Sequence, residues 1–147
     1  MQNNETLISS SSISIAESLL RQRIDDIFGP SVAIVCTPDG MIVASAANDP
    51  ETNARHAALT SALFSLSNSF CAELLRSENK EISLTSEKGQ AVIVVFFADK
   101  HPFFLCLTSS TKTNLATLLR LSKDTGEQLK GIIQLNQTGE QRAQNSS

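Results

Sequence analysis

From His56 to Ala72 the chain carries no Asp, Glu, Lys or Arg, and this stretch constrains the fold more than any other. It lies in a segment, Asp49 to Arg76, that reads as one long helix. Asp49-Pro50-Glu51 supplies an N-cap, a first-turn proline and an acidic first turn. Leu59, Leu63, Leu66, Phe70 and Leu74 recur at helical spacing and form one apolar stripe. Ala57, Phe64, Cys71 and Leu75 form a second, about 120° further round at 100° per residue. Beyond them lie Ala54, Ala58, Ser61, Ser65 and Ala72, small rather than charged. A helix resting on one sheet needs one stripe and a charged back. Two stripes and a small-residue face predict cover on more than one side. A membrane span needs about 20 predominantly apolar residues, and Thr60, Ser61, Ser65, Ser67, Asn68 and Ser69 argue against one.

With 147 residues the chain has the length of one domain with a real core. Charged residues make up 18% and the formal net charge is −3, with Lys and Arg scattered, so there is no electrostatic footprint for nucleic acid. Neither Trp nor Tyr is present, so aromatic-platform recognition would rest on Phe alone. Met1 to Ser12 lacks a signal-peptide pattern, and the expected location is cytoplasmic. Cys36, Cys71 and Cys106 are odd in number, lack CxxC spacing and sit among apolar neighbours. They read as reduced, buried small hydrophobes.

In chain order, residues 1–12 read as a polar, disordered tail, 13–131 as the domain and 132–147 as a second disordered tail. Ser14 to Glu17 has the capping-box form, opening a first helix with the stripe Ala16, Leu20, Ile24 and Ile27. Arg23 falls near that stripe, where its stem can cover apolar surface. Gly29-Pro30 ends the helix. SVAIVCT (Ser31 to Thr37) reads as a central strand, Pro38-Asp39-Gly40 as a turn, and MIVASAA (Met41 to Ala47) as its hairpin partner. The small residues Ala44 to Ala47 let another element pack closely over that partner. After the long helix, EISLTS (Glu81 to Ser86) alternates as an edge strand should. AVIVVFFA (Ala91 to Ala98) reads as a strand buried on both faces and FFLCLT (Phe103 to Thr108) as the last strand, completing a meander. A final helix starts near Thr111 or Thr113, carries Leu115, Leu118, Leu119 and Leu129, is loosened by Gly126 and stops at Gly131.

Catalytic and ligand chemistry is sparse. His56 and His101 lack a second ligand at metal spacing. Cys71 is the least improbable thiol nucleophile, but its surroundings are apolar. Lys88-Gly89 has the phosphate-loop pair in reverse order with no helix after it. Asp25-Asp26, Glu78 and Glu81 read as solvated carboxylates. The residues therefore describe a non-catalytic interaction module, with no cofactor and no metal.

The element order, together with SVAIVCTPDGMIVASA (Ser31 to Ala46), HAALTSALFSLSNSF (His56 to Phe70), AVIVVFF (Ala91 to Phe97) and NLATLLRLSKDTGEQL (Asn114 to Leu129), resembles the roadblock / dynein light chain domain family. The resemblance covers Ile15 to Leu129 and implies an α+β, profilin-like sandwich of order α-β-β-α-β-β-β-α. Its five-stranded antiparallel sheet would carry one long helix on one face and two on the other. Such domains dimerise by packing their middle helices antiparallel and joining their third strands. On that basis Ala57, Ser61, Phe64 and Ser65 would face a partner, as would Asn68, Cys71 and Leu75. Glu81, Ile82, Ser83, Leu84 and Thr85 would form the strand seam, although EISLTS is less apolar than the family's usual third strand. The resemblance further implies a homodimeric (or paralogue-paired) regulator or scaffold for a small Ras-like GTPase, activating or localising it, with no membrane insertion. Arg55 and Arg76, which bracket the charge-free stretch, are the candidate GTPase contacts. The alternative from a different class is a small-ligand sensor on the same fold, marked by a polar-lined cavity.

Overall fold

The computed structural model describes residues 8–29 and 31–133. The elements run α1 (Ser10–Asp25), β1 (Ala33–Cys36), β2 (Ile42–Ser45), α2 (Pro50–Phe70), a π-helical turn (Cys71–Leu75), β3 (Glu81–Thr85), β4 (Gly89–Ala98), β5 (His101–Ser110) and α3 (Leu115–Ile132). The strands form one antiparallel sheet in the order β2-β1-β5-β4-β3. β3–β4–β5 is the expected meander, β1 is interior, and β3 and β2 are the edges.

Strand alternation sorts the sheet into two faces. Ala33, Val35, Val92, Val94, Leu105 and Leu107 point to the side where α1 and α3 lie, and join Ala16, Leu20, Leu118 and Leu129 in the main core. Ile34, Cys36, Ile93, Phe104 and Cys106 point the other way and meet Ala57 and Phe64 of α2 in a smaller cluster. One long helix on one face and two on the other is thus the arrangement found. β4 is buried throughout on the α3 side only; on the α2 side Val95 is half-buried and Phe97 exposed.

Several boundaries differ from those the sequence suggested. α1 starts at Ser10, because Ser9 Oγ accepts the Ser12 amide at 3.1 Å and Ser12 continues the buried stripe back from Ala16. The capping box at Ser14 is unused, and the expected tail boundary at residue 12 moves back to Ser9. Asn114 caps α3, its Oδ1 accepting from the Thr117 amide at 2.8 Å, in place of Thr111 or Thr113. α3 runs unbroken through Gly126 and includes Gly131. Gly29 does take the left-handed conformation at φ 81°; Pro30 and the tails 1–7 and 134–147 lie outside the described residues. Arg23 links α1 to α3, its Nε donating to Thr125 Oγ1 at 3.0 Å and a terminal nitrogen to Gln128 Oε1 at 2.6 Å.

Candidate functional site

α2 is held to the sheet by its small and polar residues. Asn53, Ala57, Thr60, Ser61 and Phe64 are its buried positions, spaced i, i+4, i+7, i+8 and i+11 along one face. Ser45 Oγ on β2 donates to Asn53 Oδ1, and Asn53 Nδ2 donates to the Ala47 carbonyl, both at 2.9 Å. Ser61 Oγ donates to the Pro38 carbonyl in the β1–β2 turn. Gly40 in that turn has φ 88°, and its α-carbon faces Ala58 and Ser61. Phe64 stacks on Phe104 with ring centroids 4.3 Å apart. Short side chains let the helix backbone come close, and the hydrogen bonds satisfy the polar groups this buries.

This reverses the expected assignment of the faces. Ala57, Ser61 and Phe64 were expected to face a partner, yet they are buried against the chain's own sheet. Of the leucine stripe only Leu63 is partly buried there, while Leu59 is 64% exposed, Leu66 70% and Phe70 58%. Ser65, Asn68 and Leu75 are exposed and Cys71 is half-buried. Asn68 Oδ1 accepts from the Asn79 amide at 3.2 Å, tying the far half of α2 to the approach to β3.

Leu59, Leu66, Phe70 and Leu74 are the exposed apolar residues of the helix that the expected partner face left out. A partial signal was present: Ser45, on the α2 side of β2, needs a polar partner when covered, and Asn53 supplies it, starting the helix face that continues through Ala57, Ser61 and Phe64. The π turn extends the outer stripe. Its wider turn advances less than 100° per residue, so Leu74 stays in line with Phe70 instead of drifting toward the sheet. The turn ends at Arg76, which takes the left-handed conformation at φ 54°, uncommon for a residue with a side chain.

By length and composition Pro50–Leu75 could cross a membrane, but its inner face is occupied by the sheet. Its outer face continues onto bare sheet. α2 crosses above β2, β1 and β5 and reaches Ile93 at the middle of β4, leaving the rest of the β3–β4 face partly open, with Leu84 47% exposed beside it. Between α2 and that open portion runs a groove of about 240 Å³ lined by Leu59, Leu63, Leu84, Ala91, Ile93 and Cys106. Beside the groove runs the β3 edge, which pairs with no further strand among the described residues. Ile82 and Leu84 point to the α2 side, whereas Glu81 turns to α3 and pairs with Lys123 at 3.2 Å.

The remaining candidates disperse. His56 is half-buried on α2, and exposed His101 opens β5, its Nδ1 2.9 Å from the Asp99 carbonyl. Among the described residues no group of three His, Cys, Asp or Glu is placed to hold a metal. Burial, with Cys106 and Asp39 nearby, pushes the Cys36 thiol up to about 12; burial pushes Cys106 up to about 11 although the Thr60 hydroxyl beside it pulls the other way. Both are poor nucleophiles at neutral pH. Arg55 and Arg76 are exposed and make no ion pair among the described residues. They sit at opposite ends of α2.

The sequence profile of the Roadblock/LC7 domain matches residues 17–109, from the middle of α1 nearly to the end of β5. The chain belongs to the Roadblock/LC7 domain family. Among solved structures, an MglB with a tetrameric arrangement superposes with a TM-score of 0.71 at 16% identity, over 86% of this chain and 93% of that one. The gliding protein MglB of Thermus thermophilus gives 0.70 at 16% identity, over 86% and 94%. A Roadblock/LC7 domain of Streptomyces avermitilis gives 0.67 at 16% identity, over 78% and 94%. At these identities the likeness establishes the roadblock fold. Comparison with curated proteins gives no match.

Proposed function

We propose that this roadblock domain is a non-catalytic, homodimeric regulator or scaffold for a small Ras-like GTPase. The observation that carries the reading is the uncovered, charge-free outer face of α2 beside the open β3 edge. Typical monomers keep their largest apolar patch to about 300–600 Å², and a flat strand edge next to such a patch invites pairing. A twofold covering both together is the economical solution. Roadblock membership supports it, and the tetrameric arrangement described for one MglB shows the fold assembling in that protein. The GTPase role follows the family resemblance. It would operate by reshaping or recruiting the GTPase's own switch loops, with the two arginines Arg55 and Arg76 as contacts. The seam proposed is the outer stripe with Ser65, Asn68, Cys71 and Leu75, joined to residues 81–85. The small-ligand sensor draws nothing from the apolar groove, and its one supporting feature is a second cavity of about 430 Å³ between the helices and the sheet, lined by Arg21, Asp25, Ser45, Asn53 and His56 among others.

The test is the mass in solution of wild type and Leu66→Glu, read by light scattering, with GTP hydrolysis by a candidate GTPase as the second readout. Dimeric wild type, monomeric folded Leu66→Glu and an altered hydrolysis rate or stable capture of the GTPase are expected. A wild-type monomer at working concentrations would end the reading. Phe64→Glu is the wrong probe, because Phe64 is inside the fold.

A further inference from the structure

α1 and α2 lie on opposite faces of the sheet, yet residues of both line the cavity of about 430 Å³ at the sheet's corner. We propose that this cavity binds a free α-amino acid with an aliphatic side chain, its carboxylate on Arg21 and its ammonium on Asp25. The inference is independent of the homodimer reading, because the cavity lies by the β2 edge, across the sheet from β3.

The cavity exists because β1 and β2 part there. The last bond between them at this end runs from the Ala46 amide to the Ala33 carbonyl at 3.0 Å. Beyond it Val32 is drawn toward β5, its amide donating to Thr108 Oγ1 at 2.8 Å and its carbonyl accepting from the Thr108 amide at 2.9 Å. Ala47 is drawn toward α2 instead. Its carbonyl accepts from Asn53 Nδ2 at 2.9 Å, and its amide donates to Ser45 Oγ at 3.0 Å. The strands open as a fork, and α1 and α2 flank it from either face.

What lines the fork decides what it can hold. Arg21 and Asp25 reach it from successive turns of α1. They are spaced i, i+4 but with the cation first, the less favourable order for pairing, and neither makes an ion pair among the described residues. One cavity thus presents an unpaired cation and an unpaired anion side by side. A phosphate would meet the Asp25 carboxylate, a divalent cation would meet the Arg21 guanidinium, and a neutral polyol would answer neither charge. A zwitterion answers both. Cβ atoms at this helical spacing stand about 5–6 Å apart, so the two side chains can converge on a carboxylate and an ammonium borne by one carbon. Arg21 can hold that carboxylate through two parallel N–H···O bonds. Opposite them the wall is fixed: Ser45 is 3% exposed and Asn53 9%, and Asn53 keeps one amide hydrogen to spare after its bond to Ala47. Ile24, Val32, Ala33 and Ala46 make an apolar floor between the polar groups, where an aliphatic side chain would leave water. The volume falls within the range of small-molecule sites, about 300–1,000 Å³.

The experiment is calorimetric titration of the full chain with L-leucine, with isocaproate (leucine without its ammonium) and with isoamylamine (leucine without its carboxylate). The expected result is saturable binding of L-leucine with a Kd of about 1 mM or tighter, and binding of each truncated ligand weaker by roughly tenfold or more. Arg21→Gln should weaken L-leucine by roughly tenfold and leave isoamylamine unchanged; Asp25→Asn should weaken it as much and leave isocaproate unchanged. Both positions are exposed helix surface, so both variants should fold. No saturable binding of L-leucine overturns the proposal, as does isocaproate binding as tightly as L-leucine, or a leucine affinity that neither substitution alters. The mass in solution is read on the same samples. A dimer that binds no L-leucine overturns this proposal alone, whereas a monomer that binds it supports the site and ends only the dimer reading.

Discussion

The side of the sheet beneath α1 and α3 is closed with large aliphatic side chains from both layers. The side beneath α2 is closed with alanine, threonine, serine and one phenylalanine, and only across part of its width. On the first side most of the larger apolar residues of each helix point inward, Ile15 of α1 excepted, and the usual amphipathic rule holds. On the second they point outward. The difference teaches that a helix goes down on the face that fits, not the face with the most carbon. Small residues let α2 approach, Asn53 and Ser61 are satisfied by β2 and the turn, and the leucines are left for something else.

The largest test of that inversion is a pair of truncations. Phe64→Ala removes a ring 5% exposed and stacked on Phe104, and should cost about 3–5 kcal/mol of folding stability. Leu66→Ala, two residues on, should leave the folded monomer within about 0.5 kcal/mol while weakening association. Urea denaturation at fixed protein concentration separates them, since a dimer's apparent stability shifts with concentration. Equal losses from the two variants would put both residues in one core and break the comparison.

A second test uses the floor of the α2 side. Cys36 and Cys106 have folded-state pKa values raised to about 12 and about 11 from the ordinary 9.0, chiefly by burial. A raised value means the folded state holds the proton more tightly. The associated stability is fully present below pH 9 and is lost as pH climbs toward 11 and 12. Stability should therefore fall on the alkaline side of pH 9, and Cys36→Ala with Cys106→Ala should flatten that fall. At neutral pH a thiol reagent should modify Cys36, which is fully buried beneath α2, only after unfolding. Fast modification of Cys36 in the folded protein would mean that α2 does not seal its part of this face.

The element order, the meander, the β3 edge and the Asp49 cap were all legible, because each depends on local chemistry: turn residues, alternation, a carboxylate before a proline. Which stripe of α2 faces the sheet was not legible from the helix alone. Both stripes have helical spacing, and hydrophobicity favours the wrong one. The deciding facts are non-local: Ser45 of β2 bonds Asn53, Cys36 of β1 meets Ala57, and the carbonyl of Pro38 in the turn receives Ser61. The start of α1 escaped for a related reason. Ser9 and Ser14 are equally good caps, and only the burial of Ser12 in the folded core chooses between them.

Gly126 offers the smallest effect and the finest test of the well-covered side. In the sequence it is a weak point in α3, where glycine costs about 1 kcal/mol relative to alanine. In the fold it sits buried against β4, and an added methyl would lie 3.8 Å from both Phe96 Cβ and Val94 Cγ2. That is ordinary contact, so closeness does not require the glycine here. Gly126→Ala should then recover most of the propensity, stabilising by about 0.5–1 kcal/mol and raising the melting temperature by roughly 2–4 °C. A loss instead would mean that α3 is pressed onto β4 with no room for one methyl group. The two sides would then share the same device, a backbone brought close over a small residue, and would differ only in how far across the sheet each helix layer reaches.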